Sequence, residues 1–175
     1  MRLRCLVLLL VLLSACTQTP QSQPIPPQRP ALAGQDPPSF GGYVRMNDTL
    51  VADYLVSDVN GGAPTDSWRW TNKKPTFRFK LTKVTGLRFE ANYTISNSTL
   101  ATTGPVVITW SVNGHILGSA RESKDGYRKF SKPVPVEWLL PNAENVVTGE
   151  IDKVWVSPDD GAKLGFIISD LGFID

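Results

Sequence analysis

Three consecutive residues, Trp68-Arg69-Trp70, are the part of this sequence best equipped to hold a ligand. The two indoles lie two positions apart, so they share one face if Ser67 to Thr71 is extended. Exposed, they would form a stacking platform for sugar rings, with Arg69 and Asn72 donating hydrogen bonds from nearby. The alternative is that both fill the core, the usual fate of large aromatics in a sandwich interior, and the sequence favours it. Trp155 alternates with Lys153 and Ser157 while Val154 and Val156 face the other way, which makes it a second surface aromatic. Tyr127 and Arg128 follow the Asp125-Gly126 turn in the polar run 119–132 and read as a loop contact for a sugar or a protein. Trp110, inside an apolar stripe, and Trp138, between Val136 and Leu140, read as core.

Catalytic groups are thinly supplied. His115 is the single imidazole of the chain, and a position directly after Asn113-Gly114 suits the exit of a hairpin better than a nucleophile's base. No Gly-x-Ser-x-Gly elbow, His-Glu-x-x-His helix or phosphate-cradling Gly-Lys-Ser/Thr loop occurs. Glycoside hydrolysis needs only two carboxylates, and with 16 acids in the chain a hydrolase stays open as the least favoured reading. Asp159-Asp160, before Gly161, reads as turn chemistry, with a bound cation as the minor alternative. One His and two Cys are too few for a structural zinc site, so neither metal nor cofactor is expected. The 18 basic residues exceed the 16 acidic ones only through Arg2 and Arg4, which fall in a segment expected to be removed. The neutral remainder argues against nucleic acid as a partner.

That segment is residues 1–15. A basic start (Met1 to Arg4) leads into the apolar run Cys5 to Leu13 and then the small residues Ser14 and Ala15, the layout of a signal peptide. Nine apolar residues fall short of the ~20 needed to span a bilayer as a helix. The tetrapeptide Leu13-Ser14-Ala15-Cys16 resembles the lipobox of bacterial lipoproteins. The resemblance implies cleavage before Cys16, acylation of that residue and anchoring by two or three acyl chains, enough for stable membrane attachment. It also implies a location in the bacterial cell envelope, and Thr17 in place of Asp resembles the outer-membrane sorting pattern of a Gram-negative host. With Cys5 removed and Cys16 acylated, the mature protein would carry no thiol. Residues 16–39 continue as a tether: between Thr17 and Ser39 there are seven Pro and five Gln in 23 residues, a composition that cannot bury enough surface to fold.

The elements that would position the aromatics lie in residues 40–175, whose 136 positions suffice for one core. Their dominant period is two. Phe77, Phe79 and Leu81 alternate with Arg78 and Lys80; Leu87, Phe89, Ala91, Tyr93 and Ile95 alternate with polar neighbours; Val106, Ile108, Trp110 and Val112 form a third stripe, and Leu50, Ala52, Tyr54 and Val56 a weaker one. Further strands are expected near 115–120, 126–131, 146–156 and 163–168. Asn60-Gly61-Gly62, Thr85-Gly86, Asn113-Gly114, Asp125-Gly126 and Asp159-Asp160-Gly161 supply the turns. No stretch of ten residues carries a helical stripe. Eight or more short strands with regularly spaced turns predict an all-β, two-sheet antiparallel sandwich of jelly-roll-like form, with no substantial helix outside the leader.

Residues 105–156 are similar to galactose-binding-like and carbohydrate-binding-module-like jelly rolls. The shared features are a strand ending in Val112-Asn113-Gly114, a return strand His115-Ile116-Leu117-Gly118, and Asn145-Val146-Val147 leading into the next strand. The resemblance implies a glycan as ligand. The expectation is a lipid-anchored, non-catalytic envelope protein whose sandwich binds carbohydrate or another envelope component; the alternative is a structural protein holding an envelope protein partner.

Overall fold

The structure, a computed structural model, describes residues 41–175 apart from Pro64. The leader 1–15, Cys16 and the tether 16–39 lie outside the described residues. Among those described, eleven strands occur: β1 (Tyr43–Arg45), β2 (Leu55–Val59), β3 (Arg69–Lys80), β4 (Arg88–Ile95), β5 (Val106–Val112), β6 (His115–Glu122), β7 (Gly126–Pro133), β8 (Glu144–Ile151), β9 (Trp155–Val156), β10 (Lys163–Leu164) and β11 (Ile167–Ile174). Helical structure among them is limited to α1 (Val51–Tyr54), α2 (Asn97–Thr103) and a 3₁₀ turn (Val136–Trp138). The protein is an all-β antiparallel sandwich.

One layer runs β6-β5-β8-β3 with β2 also on β3, and the other runs β11-β4-β7 with β1 also on β11. The chain passes between the layers at β1–β2, β3–β4, β4–β5, β6–β7, β7–β8 and β8–β11, which gives the jelly-roll-like course. β3 belongs to both layers: Thr76 to Lys80 pair with β8, whereas Arg69 and Trp70 pair with Ile168 and Ile167 of β11. A strand that changes partners in this way makes the corner of a sandwich.

Period-two burial explains the stacking of the layers. On β4, Phe89, Ala91, Tyr93 and Ile95 are buried, and on β5 so are Val106, Ile108, Trp110 and Val112. Trp110 is fully buried at the centre, with ring centroids 5.3 Å from Phe89, 5.8 Å from Phe166, 5.9 Å from Phe130 and 6.1 Å from Tyr93. Its cross-strand neighbour on β8 is Gly149, where a Cβ would stand 2.6 Å from Trp110 Cζ3. The indole fits because that position has no side chain. The β5–β6 hairpin turns through Asn113 (φ 48°) and Gly114 (φ 83°), both left-handed, as a two-residue turn matched to sheet twist requires.

Four segments depart from the sequence reading. Residues 51–54 form a helical turn rather than strand, because Val51 and Tyr54, three apart, both reach the interior; the Tyr54 ring lies 5.6 Å from that of Phe79. The strand expected over 146–156 stops at Ile151, where Asp152 turns to accept the Val107 N–H at 2.8 Å. The strand expected over 163–168 is split at Gly165, whose backbone lies against the carbonyl oxygen of Asn72, 2.4 Å from where a Cβ would sit. β11 runs on to Ile174 unpredicted, since a register shift between Ile168 and Asp170 moves the buried positions from Ile168 to Leu171 and Phe173 and hides the alternation. α2, seven residues long, is held by its ends: Ser96 Oγ accepts the Ser98 N–H at 3.1 Å, and Gly104 at φ 67° closes it.

Candidate functional site

The corner of β3 positions the aromatic cluster. Trp70 is pinned from two sides: it pairs with Ile167, and its carbonyl accepts the Asn60 N–H at 2.8 Å. The next residue, Thr71, is fully buried. Its N–H donates to the Phe166 carbonyl at 2.8 Å, its hydroxyl donates to the same oxygen at 2.8 Å, and its carbonyl accepts the Gly165 N–H at 2.7 Å. Rigid backbone of this kind fixes where the neighbouring indole stands. The Trp155 ring, on the β9–β10 ribbon, packs at 6.2 Å from Trp70 with the planes tilted by 38°. Both rings are half-buried, and Trp68 is 47% exposed. The core placement favoured by the sequence is therefore overturned. The even positions at the start of β3 face outward, because Arg69 and Thr71 occupy the inner side.

Trp68, Arg69 and Trp70 line one depression of about 310 Å³, together with Asn60, Asp66 and Asp160. Both carboxylates are tied to turns. Asp66 Oδ2 accepts the Ala63 N–H at 2.8 Å, and Asp160 Oδ1 accepts the Ala162 N–H at 3.1 Å. A hydrogen bond from Ser157, then that from Ala162, holds the Asp160 carboxyl below its ordinary value. A second, shallower depression of about 780 Å³ adjoins the first through Asn60 and Ala162 and carries Asn72, Lys73 and Lys163. Asp66 and Asp160 escaped the sequence reading as ligand contacts because each sits in a turn. For Asp66 the signal that could have found it is the turn cluster Asn60-Gly61-Gly62 just before the Trp pair; for Asp160, distant in sequence, there is none.

Trp155 joins this cluster, as the sequence reading had it on the surface. Tyr127 and Arg128 do not line the depression. Arg128 is a clamp for the β6–β7 turn: its Nε donates to Glu122 Oε2 at 2.9 Å, its Nη1 to the Tyr127 carbonyl at 2.7 Å and its Nη2 to the Lys124 carbonyl at 2.8 Å. Glu122, buried, also accepts the Tyr93 hydroxyl at 2.7 Å. Tyr127 stands 61% exposed on the outer face. It lies in the same transverse row as Trp70, through the pairs Trp70 with Ile167, Ile167 with Thr94 and Thr94 with Tyr127. Three strand spacings put it about 14 Å from Trp70. Trp138 is not core either: it is half-buried at the rim, stacked on His115 with centroids 4.9 Å apart.

Below that row the same face is polar and internally bonded. Asp170 Oδ1 accepts the Tyr43 hydroxyl and, at 2.6 Å, the Asn92 amide. Burial and the Asp170 bond push the Tyr43 phenol well above its ordinary value. Glu90 pairs with Lys129 at 2.7 Å and accepts the Ser131 hydroxyl at 3.1 Å; the Lys129 bond is the larger cause holding its carboxyl below the ordinary range. These bonds brace the face, and within it Asn92 Oδ1 is buried without a partner.

No protein-family model matches the chain, and no curated protein matches it. Solved structures show partial likeness. A 4-O-methyl-α-glucuronidase with specificity for decorated arabinogalactans is similar over 88% of this chain and 19% of its own, at 12% identity and a TM-score of 0.45. The dimeric latent form of PorU from Porphyromonas gingivalis is similar over 59% of this chain and 10% of its own, at 20% identity and 0.36. An exo-β-1,3-galactanase from Phanerochaete chrysosporium, with β-1,3-galactotriose, is similar over 78% of this chain and 29% of its own, at 10% identity and 0.41. The chain thus spans less than a third of each, and with every score below 0.5 function has to be argued from its own residues.

Proposed function

We propose that this chain is a lipid-anchored protein of the bacterial cell envelope whose sandwich binds carbohydrate without cleaving it. The observation that carries the reading is the depression at the β3 corner, where the exposed Trp68 and half-buried Trp70 stand beside the hydrogen-bonding groups of Asn60, Asp66 and Asp160. Sugar recognition needs this combination, a flat apolar ring to stack on and converging polar groups for the hydroxyls. The thin supply of catalytic motifs in the sequence supports binding over hydrolysis. Anchoring rests on Leu13-Ser14-Ala15-Cys16. Screening the full chain against an oligosaccharide array, with Trp68→Ala beside it, tests the binding: the variant is expected to lose the signals that the parent gives, and a parent that binds no saccharide refutes the reading. Fractionating cells that express Cys16→Ser tests the anchor, which predicts that the variant leaves the membrane fraction.

A further inference from the structure

Arg69 is out of balance with its surroundings. The residue is only 8% exposed, yet its guanidinium makes no hydrogen bond or ion pair among the described residues, and Nε is wholly buried without a partner. Its Nη1 lies close to Gly62, 3.3 Å from where a Cβ would stand, so bare backbone opens the guanidinium toward the depression that Arg69 lines. The nearest carboxylate is Asp66, whose Oδ2 lies 3.0 Å from that same Cβ position; it accepts the Ala63 N–H and makes no direct ion pair with the guanidinium. A buried guanidinium without a direct hydrogen-bond partner is costly, and arginine does not shed its charge on burial as lysine does.

We infer that the ligand is an acidic glycan and that a uronate carboxylate of the sugar supplies the direct hydrogen-bond partner that the Arg69 guanidinium lacks. This rests on the carbohydrate reading above and gives it a substrate class. A planar guanidinium meets a carboxylate through two parallel N–H donors, and Trp68 and Trp70 line the same depression. The sugar hydroxyls fall to Asp66 and Asp160, which accept and do not donate. The adjoining depression, with Lys73 and Lys163, continues the path for a polymer that bears more than one carboxylate.

The test is isothermal titration of the full chain with a panel of uronate oligosaccharides, each paired with its carboxyl-reduced counterpart. The reduced sugar keeps the rings and loses only the charge. The expected result is binding of at least one uronate oligomer more than tenfold tighter than its reduced partner, with Arg69→Gln bringing the two within twofold. Because Arg69→Gln removes a buried group, the wild-type comparison stands alone if that variant does not fold. Equal binding of acidic and reduced sugars by the wild type overturns the inference and leaves the carbohydrate reading intact. No binding of either overturns both. Binding of poly-glutamate that Arg69→Gln abolishes, with no sugar bound, assigns the guanidinium to a protein carboxylate and overturns the glycan.

Discussion

Replacing Trp68 and Trp110 in turn by alanine separates a ring held for a ligand from a ring held for the fold. Trp110 is fully buried, packed against the rings of Phe89, Tyr93, Phe130 and Phe166, and Trp→Ala at such a site costs about 3–5 kcal/mol through lost transfer energy plus the cavity left behind. Trp68 is 47% exposed and opens onto solvent, so its removal leaves no closed cavity. Half of the ~1.5–3 kcal/mol for burying a large apolar side chain is about 0.8–1.5 kcal/mol. With a urea dependence of ~2 kcal/mol per molar, the midpoint should fall by roughly 2 M for Trp110→Ala and by about 0.6 M for Trp68→Ala. Binding should show the reverse ordering. By analogy with stacking of other rings, Trp68→Ala forfeits ~1–3 kcal/mol, a drop of about 5- to 150-fold in affinity for the best saccharide on the array. Equal losses of midpoint would mean that Trp68 packs as deeply as Trp110. An unchanged affinity with a small midpoint shift would leave the ring on the surface and remove it from the site.

Gly149→Ala puts a methyl 2.6 Å from Trp110 Cζ3, and overpacking of that severity should lower stability by about 1–3 kcal/mol, read as a lower melting temperature; an unchanged one would show that the indole can swing aside. Asn145→Ala should cost about 2–4 kcal/mol in urea unfolding, because the buried amide accepts the Leu140 N–H at 2.8 Å and donates to the Leu140 carbonyl at 2.9 Å and the Ala143 carbonyl at 3.1 Å, all of which lose a partner together. Burial first, and then bonds to Asp170 and Glu122 respectively, raise the Tyr43 and Tyr93 phenols above the ordinary value of 10.0. Their contribution to stability is therefore complete below pH 10 and is lost as pH climbs beyond it, when the unfolded phenols ionise and the folded ones do not. Urea midpoints at pH 8 and pH 11 should fall further for the parent than for the Tyr43→Phe/Tyr93→Phe double variant, and identical falls would refute the assignment.

Where one face of a strand is buried and its register is unbroken, alternation in the sequence is enough to place it, as for Phe89 to Ile95 and Val106 to Val112. Asn113-Gly114 is likewise legible, because a two-residue turn with two left-handed residues admits few side chains. The misses have a common physical origin in interrupted register. The shift at Ile168 to Asp170 masks β11, and Gly165 splits its predecessor for the sake of a backbone contact that no pattern records. The Trp pair was named from its spacing, yet its exposure could not be read from hydrophobicity. It is decided by β3 leaving one layer for the other, which gives the inner side to Arg69 and Thr71. Arg69 itself was legible only as a donor beside two rings. That it is buried with Nε unpartnered is a property of the folded corner.

The corner also decides how long a ligand the protein can hold. Trp70 and Tyr127 stand in one transverse row on the outer face, separated by Ile167 and Thr94 and by about 14 Å at three strand spacings. Neither intervening side chain is large enough to block a chain laid along the row, and the exposed Tyr127 ring is open to stacking, while Arg128 beside it spends its donors on Glu122 and on backbone carbonyls. A short oligosaccharide seated at Trp68 and Trp70 cannot reach Tyr127, whereas a longer one crosses it. Tyr127→Ala should therefore leave the affinity for a disaccharide within twofold and reduce that for a hexasaccharide of the same sugar by about 5-fold or more, the stacking of one further ring. Stability should hardly change, since 61% of the residue is already in solvent. Equal loss for both lengths would place Tyr127 inside the primary depression, and no loss for either would confine recognition to the β3 corner.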